Sequence, residues 1–241
     1  GTLCNAREPA PTMNCTTTLV ETLAAAVGLA FESAAADRVM ASTGHANGCN
    51  IAGWDTRTDE EYVTMVLASI ICGMGATPKM DGWHACGPEC TFGALTSGDI
   101  ELLEHSYPII IHQYSLMTDS GGAGKFRGGS GTCWKVEPMD SPMTFVTFGE
   151  GRRIPAIGAA GAASRLVEPK VGKVHITRNG EVEVIKQNII ATINPGETAA
   201  NMNPGGGGYG NPYERPVEKV VEDVRNRLVS IDGAREDYGV V

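Results

Sequence analysis

The chain carries 28 acidic against 19 basic side chains over 241 residues, a formal charge of −9, with 42% hydrophobic content. That balance suits a folded chain with a sizeable core and argues against nucleic acid or anionic membrane as partners, since both need clustered Lys and Arg. No apolar run approaches the roughly eighteen residues needed to span a bilayer.

Seven cysteines are an odd number without the spacing of a disulfide scaffold. Together with a start, Gly1 to Asn5, that has no signal-peptide layout, they indicate reduced thiols in a cytoplasm. The 31 glycines gather in loops at 121–124, 128–129 and 205–208, where backbone without a Cβ is needed inside a folded protein.

In chain order, residues 1–15 read as an extended leading segment containing Pro9 and Pro11. Thr16 to Ala36 predicts a buried or half-buried helix, because Leu19, Leu23, Val27, Ala30 and Phe31 keep helical spacing and Thr16 to Thr18 can cap it. Residues 41–57, with Gly44, Gly48 and Gly53 among polar residues, predict a long loop. Residues 58–71 stay open: Thr58 and Glu61 form a capping box and the spacing leans to helix, while Tyr, Val, Thr and Ile equally suit a strand. Gly73 to Gly98 is irregular and holds Asp81 to Cys86. Ile100 to His105 is a short apolar-acidic stretch. Pro108 to Leu116 predicts a buried strand, and Thr132 to Glu137 and Met143 to Phe148 two more. Asn179-Gly180 marks a type I′ hairpin with arms 171–178 and 181–187. Val217, Val220, Val221, Val224 and Leu228 line one face of an amphipathic helix, and Ser230 to Tyr238 predicts a further helical turn. The fold class is therefore α+β: strand-rich, with a few helices and glycine-rich buried loops. Residues 140–170 are the candidate sub-boundary.

Several stretches then combine. Asp119-Ser-Gly-Gly-Ala-Gly-Lys-Phe-Arg-Gly-Gly129 is preceded by Glu101-Leu-Leu-Glu104 and Tyr107-Pro108. It is followed by Pro204-Gly-Gly-Gly-Gly-Tyr-Gly-Asn-Pro212, Arg215 and the ending Tyr238-Gly-Val-Val241. In order and spacing these resemble the B-type subunit of the hydantoinase B/oxoprolinase family, the C-terminal portion only. The resemblance favours a strand over 58–71. It implies a partner, an actin-like ATPase A-type subunit that binds ATP and phosphorylates a carbonyl oxygen, and it implies the N-terminal portion of the B-type subunit. It also implies a divalent metal in the complex, whose His and Asp ligands lie in that N-terminal portion and not in this chain. The segment Gly82 to Cys90 departs from the family pattern.

The loop at 119–129 is not a P-loop, because Asp119 stands where the first Gly belongs and Phe126 where Ser or Thr belongs. A tight crossover, with Asp119 capping amides and Arg127 pairing with an acid, is set against contact with substrate; in the latter case Arg127 would meet an oxyanion. Gly121, Gly122 and Gly124, and likewise Gly205, Gly206, Gly207 and Gly208, are structural turns or substrate loops. Asp119, Arg127 and His84 are the candidate catalytic residues. His84, Cys86 and Cys90 have zinc-like spacing but lack a fourth ligand, so inert thiols in a half-buried loop are the alternative. Ser130 lacks the nucleophile-elbow context. His45, Asn47 and Asp55 read as loop surface, and His175 as a cross-strand residue.

The functional expectation is a subunit of an ATP-dependent carboxylase acting on a ketone of the acetone or acetophenone type, with bicarbonate. Two alternatives stand beside it. One is ATP-dependent hydrolysis of a cyclic amide of the hydantoin or 5-oxoproline type, and the other is a non-catalytic structural half of such a complex.

Overall fold

The computed structural model describes residues 20–87, 95, 97–162 and 172–240. The leading segment, the Thr16 to Thr18 caps, Leu19, Cys90 and Val171 lie outside the described residues.

Among the described residues, two antiparallel sheets and four α-helices form a mixed α+β fold, richer in strand than in helix. The first sheet has the order β2-β1-β5-β8, from β1 (Asn47–Asp55), β2 (Glu60–Val66), β5 (Met143–Gly149) and β8 (Ile190–Ile193). The second has the order β3-β4-β9-β6-β7. Its strands are β3 (Ile109–Leu116), β4 (Thr132–Pro138), β6 (Lys173–Arg178), β7 (Glu181–Ile185) and β9 (Thr198–Met202). The chain crosses repeatedly from one sheet to the other, and strands on both sides of residues 140–170 serve both sheets. Alternate residues of each sheet meet in one core: Ile51 and Phe145 from the first, Trp134, Val136 and Ile176 from the second.

The predicted loop over 41–57 is corrected: most of it is β1, paired to β2 and β5. Glycine suits this strand because there is no room for side chains. A Cβ at Gly48 would lie 2.3 Å from the Phe148 ring. Residues 60–66 are strand, followed by a 3₁₀ turn at Leu67–Ile70. The stretch at Ile100–Ser106 is a short helix, α2, whose Asp99 cap accepts the Leu102 N–H at 3.1 Å. β3 forms as predicted but is an edge strand, so Ile109 is buried while Ile110 and Leu116 are exposed. The hairpin turns through Asn179 at φ 52° and Gly180 at φ 81°, the left-handed pair that a type I′ turn requires.

Helix α1 (Val20–Ala35) is present but not buried; Leu23, Val27 and Phe31 are exposed. Its single buried side chain is Glu21, whose carboxylate accepts the Ala46 N–H at 3.0 Å. Helices α3 (Val217–Arg225) and α4 (Ile231–Tyr238) pack Val220, Val229, Ala234 and Tyr238 around Ala123. Ser230 caps α4 through the Gly233 N–H, and Gly239 at φ 68° ends it.

Candidate functional site

Between the sheets and the terminal helices, several glycine-bearing segments run against one another. Their main chains bond across: Gly44 N–H to Gly73 C=O, Gly73 to Pro204, Gly129 to Met74, Gly206 to Gly129, Gly122 to Gly206 and Gly207 to Ser42, at 2.8 to 3.2 Å. The contact is too close for side chains. A Cβ at Gly129 would lie 1.9 Å from the Trp83 carbonyl oxygen, at Gly128 2.0 Å from that of Gly206, and at Gly206 2.1 Å from that of Met74. Gly121, Gly122, Gly124, Gly205, Gly207 and Gly208 are similarly pressed against backbone, none at positive φ. Close approach, and not turn geometry, is what demands glycine here. The N–H groups of Gly122, Gly128, Gly129, Gly206 and Gly207 are all spent on carbonyls within this lattice.

The lattice positions an ionic cluster beneath α3 and α4. Arg215 holds Asp81 through two bonds, at 2.7 and 2.8 Å, and Asp223 through two more, at 2.8 and 3.1 Å. Arg127 lies 3.3 Å from Asp223, while its amide donates to Asp81 at 2.8 Å and its Nη1 to the Gly128 carbonyl at 2.6 Å. Burial pushes the Asp81 carboxyl up, but the Arg215 bonds and charge and the Arg127 amide outweigh it and hold Asp81 below its usual range. Burial alone would lower Arg215; its two carboxylate partners hold it above its ordinary value. Tyr238 is pushed up by burial beside the same charges.

His84 sits at the edge of this cluster. Its Nδ1 accepts the Ser130 N–H at 3.0 Å, which leaves the neutral ring with its proton on Nε2. Nε2 then faces Arg127 Nη2 at 3.5 Å, donor against donor. Burial first, and the Arg127 charge second, keep this ring below its usual pKa and therefore neutral near pH 7. Two donors converge with no acceptor between them among the described residues, an arrangement that can receive an oxyanion.

Asp119, at φ 58°, accepts the Ser230 N–H at 2.8 Å and donates its own amide to Leu228, so it ties the loop to the α3–α4 connection. It is remote from His84 in bonding. Cys86 is buried with its Sγ 4.0 Å from Met74 Sδ. No group of three or more His, Cys, Asp or Glu that could hold a metal ion occurs among the described residues. Cys90, the third member of the His84, Cys86 and Cys90 set, lies outside the described residues. Asp55 pairs with Arg57 at 2.7 Å at the far end of β1, and His175 stands on β6. Asn47 is buried and, contrary to the surface expectation, donates its backbone N–H to Asn203 Oδ1 at 3.2 Å. Sequence reading missed Asp81 and Asp223 as Arg215 partners, and the buried trio Asn47, Asn201 and Asn203. An isolated Asp-Gly and a helical Asp carry no local signal of a partner far along the chain.

This two-sheet unit with its glycine lattice defines a class: residues 1–212 match hydantoinase B/oxoprolinase, and the chain belongs to that family. Its sequence is 64% identical over its whole length to the caprolactamase subunit beta of Pseudomonas jessenii, of which it covers 42%. It is also similar to the crystal structure of the ATP-dependent caprolactamase from that organism, with TM-score 0.88 and 57% identity over 100% of this chain and 42% of that one. Nucleotide-free acetone carboxylase shares the fold at TM-score 0.72 and 20% identity, over 91% of this chain and 33% of that one. The chain thus spans about two fifths of the length of these caprolactamase relatives. No helix among the described residues is long and apolar enough to cross a membrane.

Proposed function

We propose that this chain serves in an ATP-dependent enzyme that hydrolyses a cyclic amide, as part of its B-type subunit. The supporting observation is the 64% identity, sustained over the entire chain, to a caprolactamase subunit. The ketone carboxylase expected from the sequence gives way to its alternative, because the likeness to acetone carboxylase, at 20% identity, extends to the fold alone. In this reading an actin-like A-type partner binds ATP and activates the amide carbonyl oxygen, and the remainder of the B-type subunit completes the site. The γ-phosphoryl group passes to that oxygen as ADP leaves; water then adds to the acyl carbon and the ring C–N bond breaks, nitrogen taking a proton. A second water hydrolyses the resulting acyl phosphate to carboxylate and inorganic phosphate.

The contribution proposed for this chain is rigid support for the site, with the His84 Nε2–H and Arg127 Nη2 donors available to negative charge on oxygen. The test is ATP turnover by the full-length subunit reconstituted with its ATPase partner. Caprolactam, hydantoin and 5-oxoproline are compared with acetone plus bicarbonate. Lactam-stimulated ADP release with an amino acid product is the expected result. Turnover that requires ketone and bicarbonate overturns the reading.

A further inference from the structure

A cleft of about 590 Å³ opens beside α1, and neither His84 nor Arg127 lines it. Ala25, Ala26 and Leu29 of α1 form one wall, and Ile154 and Ile157 after β5 form the other. This volume is in the range of small-molecule sites, and such sites combine apolar walls with a few placed polar groups. Arg152 lines the cleft and is 4% exposed.

Arg152 is held but not neutralised. Its Nε donates to Asn188 Oδ1 at 3.0 Å and its Nη2 to Asn201 Oδ1 at 3.1 Å. Both amides are fixed in turn, Asn188 Nδ2 on the Gly149 carbonyl and Asn201 Nδ2 on those of Asn47 and Ser69. Nη1 is buried with no acceptor. No carboxylate among the described residues lies within ion-pair distance of this guanidinium, and burial pushes its pKa down to about 10. A buried cation without a counter-charge is destabilising until an anion arrives.

The local backbone is shaped to hold it there. Gly149 at φ +123° and Gly151 at φ +73° bracket the turn into Arg152, in conformations that other residues rarely adopt. A Cβ at Gly149 would lie 2.1 Å from the Ala46 carbonyl oxygen, so the turn lies flat on the segment carrying His45. Glu21 ties α1 to that same segment, and His45 Nδ1, also buried without a hydrogen bond, lines the cleft. Arg153 and Lys186 line it too, with Glu150 beside them.

We infer that this cleft binds a small aliphatic carboxylate, its negative head on Arg152 and its carbon chain along the apolar face of α1. The inference rests on the cyclic-amide reading, since opening an aliphatic lactam yields such a carboxylate. The apolar walls favour an organic body over bare phosphate.

The test is calorimetric titration of hexanoate, 6-aminohexanoate and inorganic phosphate into the assembled enzyme without nucleotide, with lactam-dependent ATP turnover recorded separately. Saturable carboxylate binding is expected. It should weaken at least tenfold in Arg152→Met and also in Ala26→Phe, which fills the cleft from an exposed helical position without touching the Arg152 bonds. Carboxylate binding that is absent, or undiminished in Ala26→Phe, overturns the inference, as does binding of phosphate in place of carboxylate. A parent enzyme that turns over lactam but binds no carboxylate sinks this inference alone; one that binds carboxylate without lactam turnover sinks the functional reading alone.

Discussion

Arg215 and Asp81, 134 residues apart in sequence, meet through two parallel hydrogen bonds of 2.7 and 2.8 Å. The guanidinium is almost fully buried and its second partner, Asp223, is buried with it. Removing one member of such a group leaves charge without compensation. Arg215→Met should therefore destabilise the subunit by about 3–5 kcal/mol. Asp81→Asn should cost less, because Asp81 reaches solvent and Arg215 keeps Asp223. Urea unfolding of the full-length subunit checks the order; equal losses would contradict it.

Gly129→Ala places a methyl group against the Trp83 carbonyl, where nothing can yield without moving main chain. We expect an insoluble subunit or a loss of more than about 3 kcal/mol, a large value for a single substitution. Gly98→Ala, with no atom within 4 Å of its new Cβ, should be near neutral. Expression and melting temperature of the pair decide the matter.

Acid should weaken the fold through His84. Its folded pKa lies below the ordinary imidazole value of 6.5, so the ring resists protonation in the folded state but not in the unfolded one. Its contribution is present in full above pH 6.5 and is lost as pH falls below that value. His45, depressed first by burial, acts in the same sense. Asp81, held low on balance, adds a further loss only below its ordinary value of 3.8. In unfolding measured from pH 8 to 5, His84→Gln should show a shallower decline than the parent. An unchanged slope would exclude His84 as a contributor.

Cys49, Cys72, Cys86 and Cys133 are buried, and burial raises the Cys49 thiol to about 12 and the Cys133 thiol to about 11. Thiolate is the reactive form, so these positions should resist alkylation in the native subunit and react after denaturation. Peptide mapping after iodoacetamide treatment reads this directly. Rapid native labelling of Cys49 or Cys133 would contradict the packing.

The features legible in the sequence were those fixed by near neighbours. Asn179-Gly180 announces its own hairpin, and the valines of α3 and the Ser230 cap of α4 announce their helices. β1 was read as loop because its glycines looked like turns, whereas Gly48 is small to admit the Phe148 ring. β9, Thr-Ala-Ala-Asn-Met, has Thr198 as its one strand former and is held in place by β4 and β6 on its flanks. Exposure along α1 was illegible for another reason, since helical spacing marks an apolar face but not what covers it. Arg152 gave no signal, because its two amide partners come from distant segments.

The glycine lattice also has a consequence for the order of assembly. Its members come from segments as far apart as Ser42 and Gly207, and each holds the next in place. On the ribosome the early segments must therefore wait, with their main-chain groups on water, until residues 203–210 emerge and close the array. A chain truncated before that segment would forfeit the whole weave at once, and the last stretch made acts as the keystone.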